Sequence, residues 1–158
     1  MRSPVWDELQ ALNQVDNVQF VHLGASDMPR LVSLGLDHIR SLNLRHLRTS
    51  DLTILRSFPQ LDSLSVWQSP AVTSISGIQT MPGLRSLSLS ELGPLSSLEP
   101  LSTLQRLEDL ALTGGVWKGQ RLSGDFSPLA ALENLLRLTI TNVRGPLDLT
   151  PLLHYTHL

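Results

Sequence analysis

Residues 84–89 read LRSLSL, and their spacing, apolar-x-x-apolar-x-apolar, is the most regular feature of this 158-residue chain. The same spacing occurs in five other segments: VQFVHL (18–23), IRSLNL (39–44), LDSLSV (61–66), LEDLAL (107–112) and LLRLTI (135–140). Alternating apolar residues are typical of a β-strand with one buried face. Because the segments begin 21 to 28 residues apart, they predict stacked coils whose strands form a parallel sheet. The x positions would form the outward, concave face of that sheet.

A second pattern precedes each predicted strand. Apolar residues recur three positions apart, as in Leu52, Leu55 and Phe58, which fits one face of a short 3-10 or α-helix. Residue types that cap helix N-termini stand ten positions before five of the repeat starts, with Leu158 counted as the last start. They are Asp51, Ser74, Ser97, Asp125 and Asp148. The two patterns together predict a right-handed α/β solenoid with short helices on its convex side.

Two segments depart from the repeat. Leu31, Leu34 and Leu36 lack the spacing of three, which predicts an irregular short turn before the second strand. Residues 113–125, TGGVWKGQRLSGD, lengthen the fifth coil and contain four glycines, which predicts a loop.

With this pattern the chain resembles the leucine-rich repeat proteins. The segments DFSPLAALENLLRLTI (125–140) and DLTPLLHYTHL (148–158) are similar to the 22-residue repeats of bacterial internalins. The resemblance implies an arc-shaped, protein-binding scaffold. Ser3 and Pro4 followed by Asp7 and Glu8 indicate a helix start, which predicts an N-terminal capping helix in residues 1–17 before a repeat domain in residues 18–158. One feature departs from the family. The asparagine or cysteine that normally follows each strand is missing, since Leu47, Ser69 and Leu92 stand at that position.

Composition excludes several classes of function. The chain has 12 Lys and Arg against 14 Asp and Glu, a net charge of −2, so a nucleic-acid or anionic membrane partner is not expected. It has no cysteine, which removes disulfides, thiolate metal sites and cysteine nucleophiles. Pro4, Asp7 and Glu8 interrupt any apolar signal sequence. These features predict a protein of the cytoplasm. The resemblance to internalins implies a bacterial origin, with delivery into a host cell if the protein is an effector.

The predicted concave face supplies the candidate binding residues. Its central columns are rich in serine, and its first column begins with Phe20 at the first strand. A further column alternates in charge and predicts a ladder of ion pairs. Tryptophan and arginine are common anchors of protein interfaces. The predicted partner-binding residues are Arg45, Trp67, Asp109, Trp117, Lys118, Arg121 and Arg137. Trp67 stacked on Arg45 as a structural cation–π pair is the competing interpretation.

No sequence feature predicts catalysis. The chain lacks phosphate-binding glycine motifs, and His154 and His157 have no third metal ligand nearby, so we expect no enzyme activity, metal or cofactor. The last repeat ends without a capping pattern, which leaves two expectations. Either the chain is a recognition fragment of a larger effector or signalling ATPase, or a partner, including a second copy of the chain, covers the uncapped C-terminal coil.

Overall fold

The computed structural model describes residues 15–115, 120–121, 125–144, 148–153 and 155. Among these residues, one six-stranded parallel sheet forms the centre of the fold. Its strands, in both chain and spatial order, are β1 (Asn17–Val21), β2 (Ser41–Arg45), β3 (Ser63–Ser69), β4 (Ser86–Leu92), β5 (Asp109–Thr113) and β7 (Arg137–Thr141). A second, two-stranded parallel ladder joins β6 (Gln120–Arg121) to β8 (Val143–Arg144). The open parallel stack confirms the predicted solenoid.

Short helices fill the crossovers between the strands. The 3-10 helices span Ala25–Asp27, Leu36–His38, Thr53–Ser57, Ile78–Thr80, Glu99–Thr103, Ser127–Ala131 and Thr150–Leu152. One crossover also contains an α-helix, α1 (Met28–Ser33), so the predicted irregular turn is confined to residues 34–35, between α1 and the 3-10 helix that begins at Leu36. A proline, Pro29, stands in the first turn of α1, where its fixed φ favours helix initiation. Leu31 on this helix is fully buried.

The predicted capping residues do bond to the helices. Asp51, Ser74, Ser97, Asp125 and Asp148 each accept a hydrogen bond from the backbone N–H two residues later. For Asp51 the distance from Oδ1 to the nitrogen of Thr53 is 3.0 Å, and for Asp125 the distance to Ser127 is 2.9 Å. In five of the 3-10 helices, a side-chain oxygen thus accepts from an N–H group at or near the helix start that has no partner within the helix.

Because of two of these capping carboxylates, the stability of the fold is expected to depend on pH. Hydrogen bonds from Ser127 lower the pKa of Asp125 below its usual value, and Thr150 lowers the pKa of Asp148 in the same way. Because the folded pKa lies below the unfolded pKa, this stabilisation is complete near neutral pH and is lost as the pH falls below about 4. We expect Asp125→Asn with Asp148→Asn to flatten the decline of the urea midpoint between about pH 5 and pH 3. An unchanged slope would show that neither carboxylate contributes.

The core lies between the sheet and the 3-10 helices. Most inward residues of β2 to β5 are at most 2% exposed, as at Leu42, Leu64 and Leu110. The position that usually carries the asparagine row is mostly apolar, with Leu23, Leu47 and Leu92 buried there. At these positions, burial of an apolar side chain takes the place of the hydrogen bonds that asparagine would form with the backbone.

Ser69 is the exception in this row and the one buried polar residue in the described part of the chain. Its Oγ accepts from the nitrogen of Leu47 at 3.0 Å and donates to the carbonyl oxygen of Trp67 at 3.0 Å. Ser69 therefore performs, at one coil, the backbone bonding that asparagine performs in the related repeats.

In the first coil, the observed strand register differs from the predicted one. Val18 pairs with Leu42 and Phe20 with Leu44, so the repeat begins at Val15, three residues before the predicted start. Phe20, predicted to face outward, is 6% exposed, and its ring centroid lies 6.2 Å from that of Phe58. The predicted register would instead have buried Val21, which is 40% exposed. Burying the larger phenylalanine is the more favourable choice.

Two residues of the predicted loop, Gln120 and Arg121, form a strand. Gln120 and Arg121 pair with Val143 and Arg144, and Asp125 forms an isolated bridge with Asp148. The segment is therefore tied to the next coil. The predicted capping helix falls almost wholly on residues 1–14, outside the described residues, so the boundary at residue 17 stays a prediction.

Candidate functional site

The ends of β2 and β3 place an arginine against a tryptophan. Arg45 and Trp67 are paired in the sheet register, and the guanidinium carbon of Arg45 lies 4.2 Å from the centroid of the Trp67 ring. Gln68 holds the arginine in place, since its Oε1 accepts from Nε at 3.1 Å and from Nη2 at 2.8 Å. The predicted cation–π contact between the two side chains is therefore present. Trp67 nevertheless remains 41% exposed on the concave face.

A repeated backbone turn positions Gln68. The second residue after the last inward strand position adopts a left-handed conformation in five coils, at His22, His46, Gln68, Glu91 and Asn142, with φ between 49° and 64°. This turn directly follows β1, β2 and β7 and lies near the end of β3 and β4, and it brings the Gln68 side chain towards Arg45. Sequence reasoning did not predict this row, because its residue types differ from coil to coil.

The same row extends the cluster to two histidines. The rings of His22 and His46 stack with centroids 5.0 Å apart and planes 13° apart. Nδ1 of His46 lies 3.0 Å from the carbonyl oxygen of Gln68, and because a carbonyl only accepts, Nδ1 carries the proton. His22, His46, Gln68, Arg45 and Trp67 therefore form one connected surface cluster, named here the strand-end cluster.

A second pair lies at the other end of the strands. Nη1 of Arg137 is 2.8 Å from Oδ1 of Asp109, as the predicted ion pairing requires. Oδ1 is shielded from solvent and, within the described residues, accepts no hydrogen bond. The contact is therefore electrostatic. The two side chains border a shallow depression of about 230 Å³ on the concave face, whose floor includes Ser86, Ser88 and Ala111.

The alternating column forms the predicted ion pairs. Arg40 contacts Asp62 at 3.3 Å, and Arg85 hydrogen-bonds Glu108. The corrected register places Asp16, and not Gln19, beside Arg40, whose nitrogen donates to the Asp16 carbonyl oxygen at 3.0 Å. These pairs are at least one-third exposed, so each contributes less than about 1 kcal/mol and acts mainly to fix charge positions.

The predicted binding residues do not form a single site. Trp67 and Asp109 are separated by two strand spacings and about four residues along the strands, which gives roughly 15 Å. Arg45 belongs with Trp67, and Arg137 with Asp109. Trp117 and Lys118 lie outside the described residues, and for Arg121 the structure describes the backbone in β6 but not the side chain.

In the described part of the chain, no group of three or more His, Cys, Asp or Glu side chains is arranged to hold a metal ion. None of the described helices is long and apolar enough to cross a membrane.

Comparison with known proteins identifies the fold. No protein-family model matches the chain, and no curated protein matches it. Solved structures do match, among them the crystal structure of an internalin, InlF, from Listeria monocytogenes, with a TM-score of 0.65. The chain is a leucine-rich repeat solenoid. Sequence identity to InlF is 24%, over 97% of this chain and 41% of the InlF chain, so the leucine-rich repeats match in fold and span about two fifths of that protein.

Proposed function

We propose that this leucine-rich repeat chain is a non-enzymatic scaffold that binds a protein partner through its concave face. The observation that carries the proposal is Trp67, which is 41% exposed while Arg45 and Gln68 hold its surroundings in one geometry. An exposed indole beside a fixed guanidinium has the composition of an interface hot spot. Because the sheet already orders these side chains, binding would cost little conformational entropy.

The strand-end cluster is the proposed primary contact. Asp109 and Arg137, at the far end of the strands, are proposed as a second contact, since the shielded carboxylate oxygen lies beside the Arg137 guanidinium but accepts no hydrogen bond within the described residues. Trp117, Lys118 and Arg121, from the segment that follows β5, complete the set on sequence grounds alone. A partner that spans both ends of the strands would reach about 15 Å across the concave face.

The wider setting is also a proposal. A chain without cysteine suits a reducing compartment, so a bacterial cytoplasm is the proposed location, with delivery into a host cell for an effector. The alternative function is recognition or regulation within a larger effector or signalling ATPase. A third role, self-association through the C-terminal coil, is supported by the exposure of Leu149 and Leu153, at 44% and 81%.

The test begins with a partner captured from the native host and purified. We expect Trp67→Ala to weaken its binding by at least about 2 kcal/mol, or roughly 30-fold, in isothermal titration calorimetry. Arg56→Ala removes an exposed cation from a 3-10 helix and should leave affinity unchanged. Urea denaturation of both variants separates a binding defect from a folding defect.

Two results would count against the concave face. One is equal affinity of the wild type and Trp67→Ala. The other is a loss seen only with Leu153→Asp, which would move the partner to the C-terminal coil.

A further inference from the structure

Arg45 differs from the other arginines of the main sheet in its charge environment. Four arginines stand in a strand of that sheet or one residue before it: Arg40, Arg45, Arg85 and Arg137. Three of them form an ion pair with a carboxylate of the adjacent coil. Among the described residues, no acidic side chain forms an ion pair with Arg45. This part of the chain therefore leaves the positive charge of Arg45 without a counter-charge.

The missing counter-charge does not arise from an end of the repeat array. Strand β2 lies between β1 and β3 and is paired with both. The residues beside Arg45 in the register are Val21 and Trp67, and neither carries a charge. Glu91 belongs to the row of left-handed turns, but its strand is two spacings from β2, or roughly 10 Å. The coils on both sides of Arg45 thus supply no carboxylate at this position.

The guanidinium group of Arg45 keeps one pair of donors available. Gln68 Oε1 accepts from Nε and Nη2, and so occupies one side of the group. One N–H of Nη1 and the second N–H of Nη2 run parallel at the end of the group, and neither has an acceptor in the described part of the chain. Two parallel N–H groups of this kind bind both oxygens of a carboxylate. Because Gln68 is uncharged, it positions the arginine without neutralising it.

Exposed apolar side chains flank the arginine on both sides. Val21 and Trp67, its register neighbours, are 40% and 41% exposed. The next residue in the register after Trp67 is Ser90, whose small side chain leaves space beside the indole. A partner that covers these apolar groups would also shield an ion pair at Arg45 from water, which strengthens it. The site therefore suits an acidic residue that has an apolar neighbour.

We propose that Arg45 binds the side-chain carboxylate of an aspartate or glutamate in the partner, and that an apolar residue next to this acid packs on Trp67. The proposal rests on the concave-face function above and adds the chemistry of the partner segment. Its basis is charge complementarity, because the partner supplies the counter-charge that the chain itself provides for the other three arginines. Gln68 and Trp67 hold the guanidinium in place, so binding the carboxylate would require little ordering.

Random peptides displayed on phage test this chemistry before the partner is identified, with the full 158-residue chain as the bait. Each peptide is joined to the coat protein at its C-terminus, so the library offers side-chain carboxylates and no C-terminal carboxylate. We expect the peptides selected on the wild type to be enriched in Asp or Glu next to an apolar residue. The enrichment should disappear on Arg45→Gln. It should persist on Arg56→Gln, which removes an exposed cation from a 3-10 helix.

A double-mutant cycle measures the contact itself. In isothermal titration calorimetry with a selected peptide, Arg45→Gln should weaken binding at least about tenfold. Replacing the acid of the peptide by its amide should have the same effect on the wild type. The two changes together should weaken binding little more than either one, since both remove the same contact. Arg45→Gln should keep the circular dichroism spectrum of the wild type, because Arg45 is only partly buried.

The outcomes separate this proposal from the concave-face function. Three results would overturn the carboxylate contact alone: selected peptides that need Trp67 but show no excess of acidic residues, equal acidic enrichment on Arg45→Gln, or additive losses in the cycle. Peptides that bind Trp67→Ala as well as the wild type would contradict the concave-face function itself, as would a library without binders. The carboxylate proposal would then fail with it.

Discussion

Leu110→Ala is expected to lower the free energy of unfolding by about 2–5 kcal/mol. Leu110 is 2% exposed in β5 and lies in register between Leu87 of β4 and Leu138 of β7. Truncation removes apolar contacts and leaves a cavity that closely stacked coils cannot easily close. Urea or guanidinium denaturation, followed by circular dichroism, measures the loss.

Asp109→Ala is the matched control on the neighbouring residue. Asp109 points to the concave face and pairs with Arg137, whose side chain is 76% exposed, so its removal should cost less than about 1 kcal/mol. The two variants therefore separate the inner and outer faces of one strand. Equal losses for the two would contradict the inward position of Leu110.

The sequence predicts the stack of coils because two independent patterns specify it. Apolar residues at alternate positions define each strand, and the capping residues fix where each helix begins. The first coil escaped correct prediction because VDNVQF (15–20) and VQFVHL (18–23) fit the same spacing. Only the packing of Phe20 against Phe58 decides between the two, and Phe58 lies 38 positions further along the chain.

The candidate site was predictable to the extent that it depends on register. Counting positions along the strands places Arg45 beside Trp67 and Asp109 beside Arg137, and both contacts occur. Gln68 and His46 were missed because their roles depend on a left-handed turn. Of the five residues in that turn, Asn142 is the type most associated with this conformation, so the row had almost no sequence signal.

Ser69 shows a related limit. A serine at the spine position could face solvent or bond to the adjacent coil, and its type does not distinguish these. The structure buries Ser69 completely, and its hydroxyl hydrogen-bonds two backbone groups. The leucines at the equivalent position of the neighbouring coils cannot form such bonds.

Gly77→Ala is expected to be as damaging as the core truncation, with a loss of about 3 kcal/mol or more. Gly77 has φ of 109°, outside the range that alanine adopts easily. An added Cβ would also lie 2.3 Å from the carbonyl oxygen and 2.5 Å from the carbonyl carbon of Leu52, in the preceding coil. These atoms belong to the backbone, and the backbone nitrogen of Leu52 donates a hydrogen bond to the carbonyl oxygen of Ser76 at 2.9 Å. The coils could separate only by losing such contacts.

Gly35→Ala provides the control that separates strain from collision. Gly35 also has positive φ, at 61°, but an added Cβ there meets no atom within 4 Å. Its cost should be that of the left-handed conformation alone, about 1–2 kcal/mol. The two variants should differ in their free energy of unfolding, which the denaturation midpoints give when the slope of that free energy against denaturant is unchanged. The difference measures how closely adjacent coils approach each other. If both substitutions cost the same, the close contact between Gly77 and Leu52 does not limit the stacking of the coils.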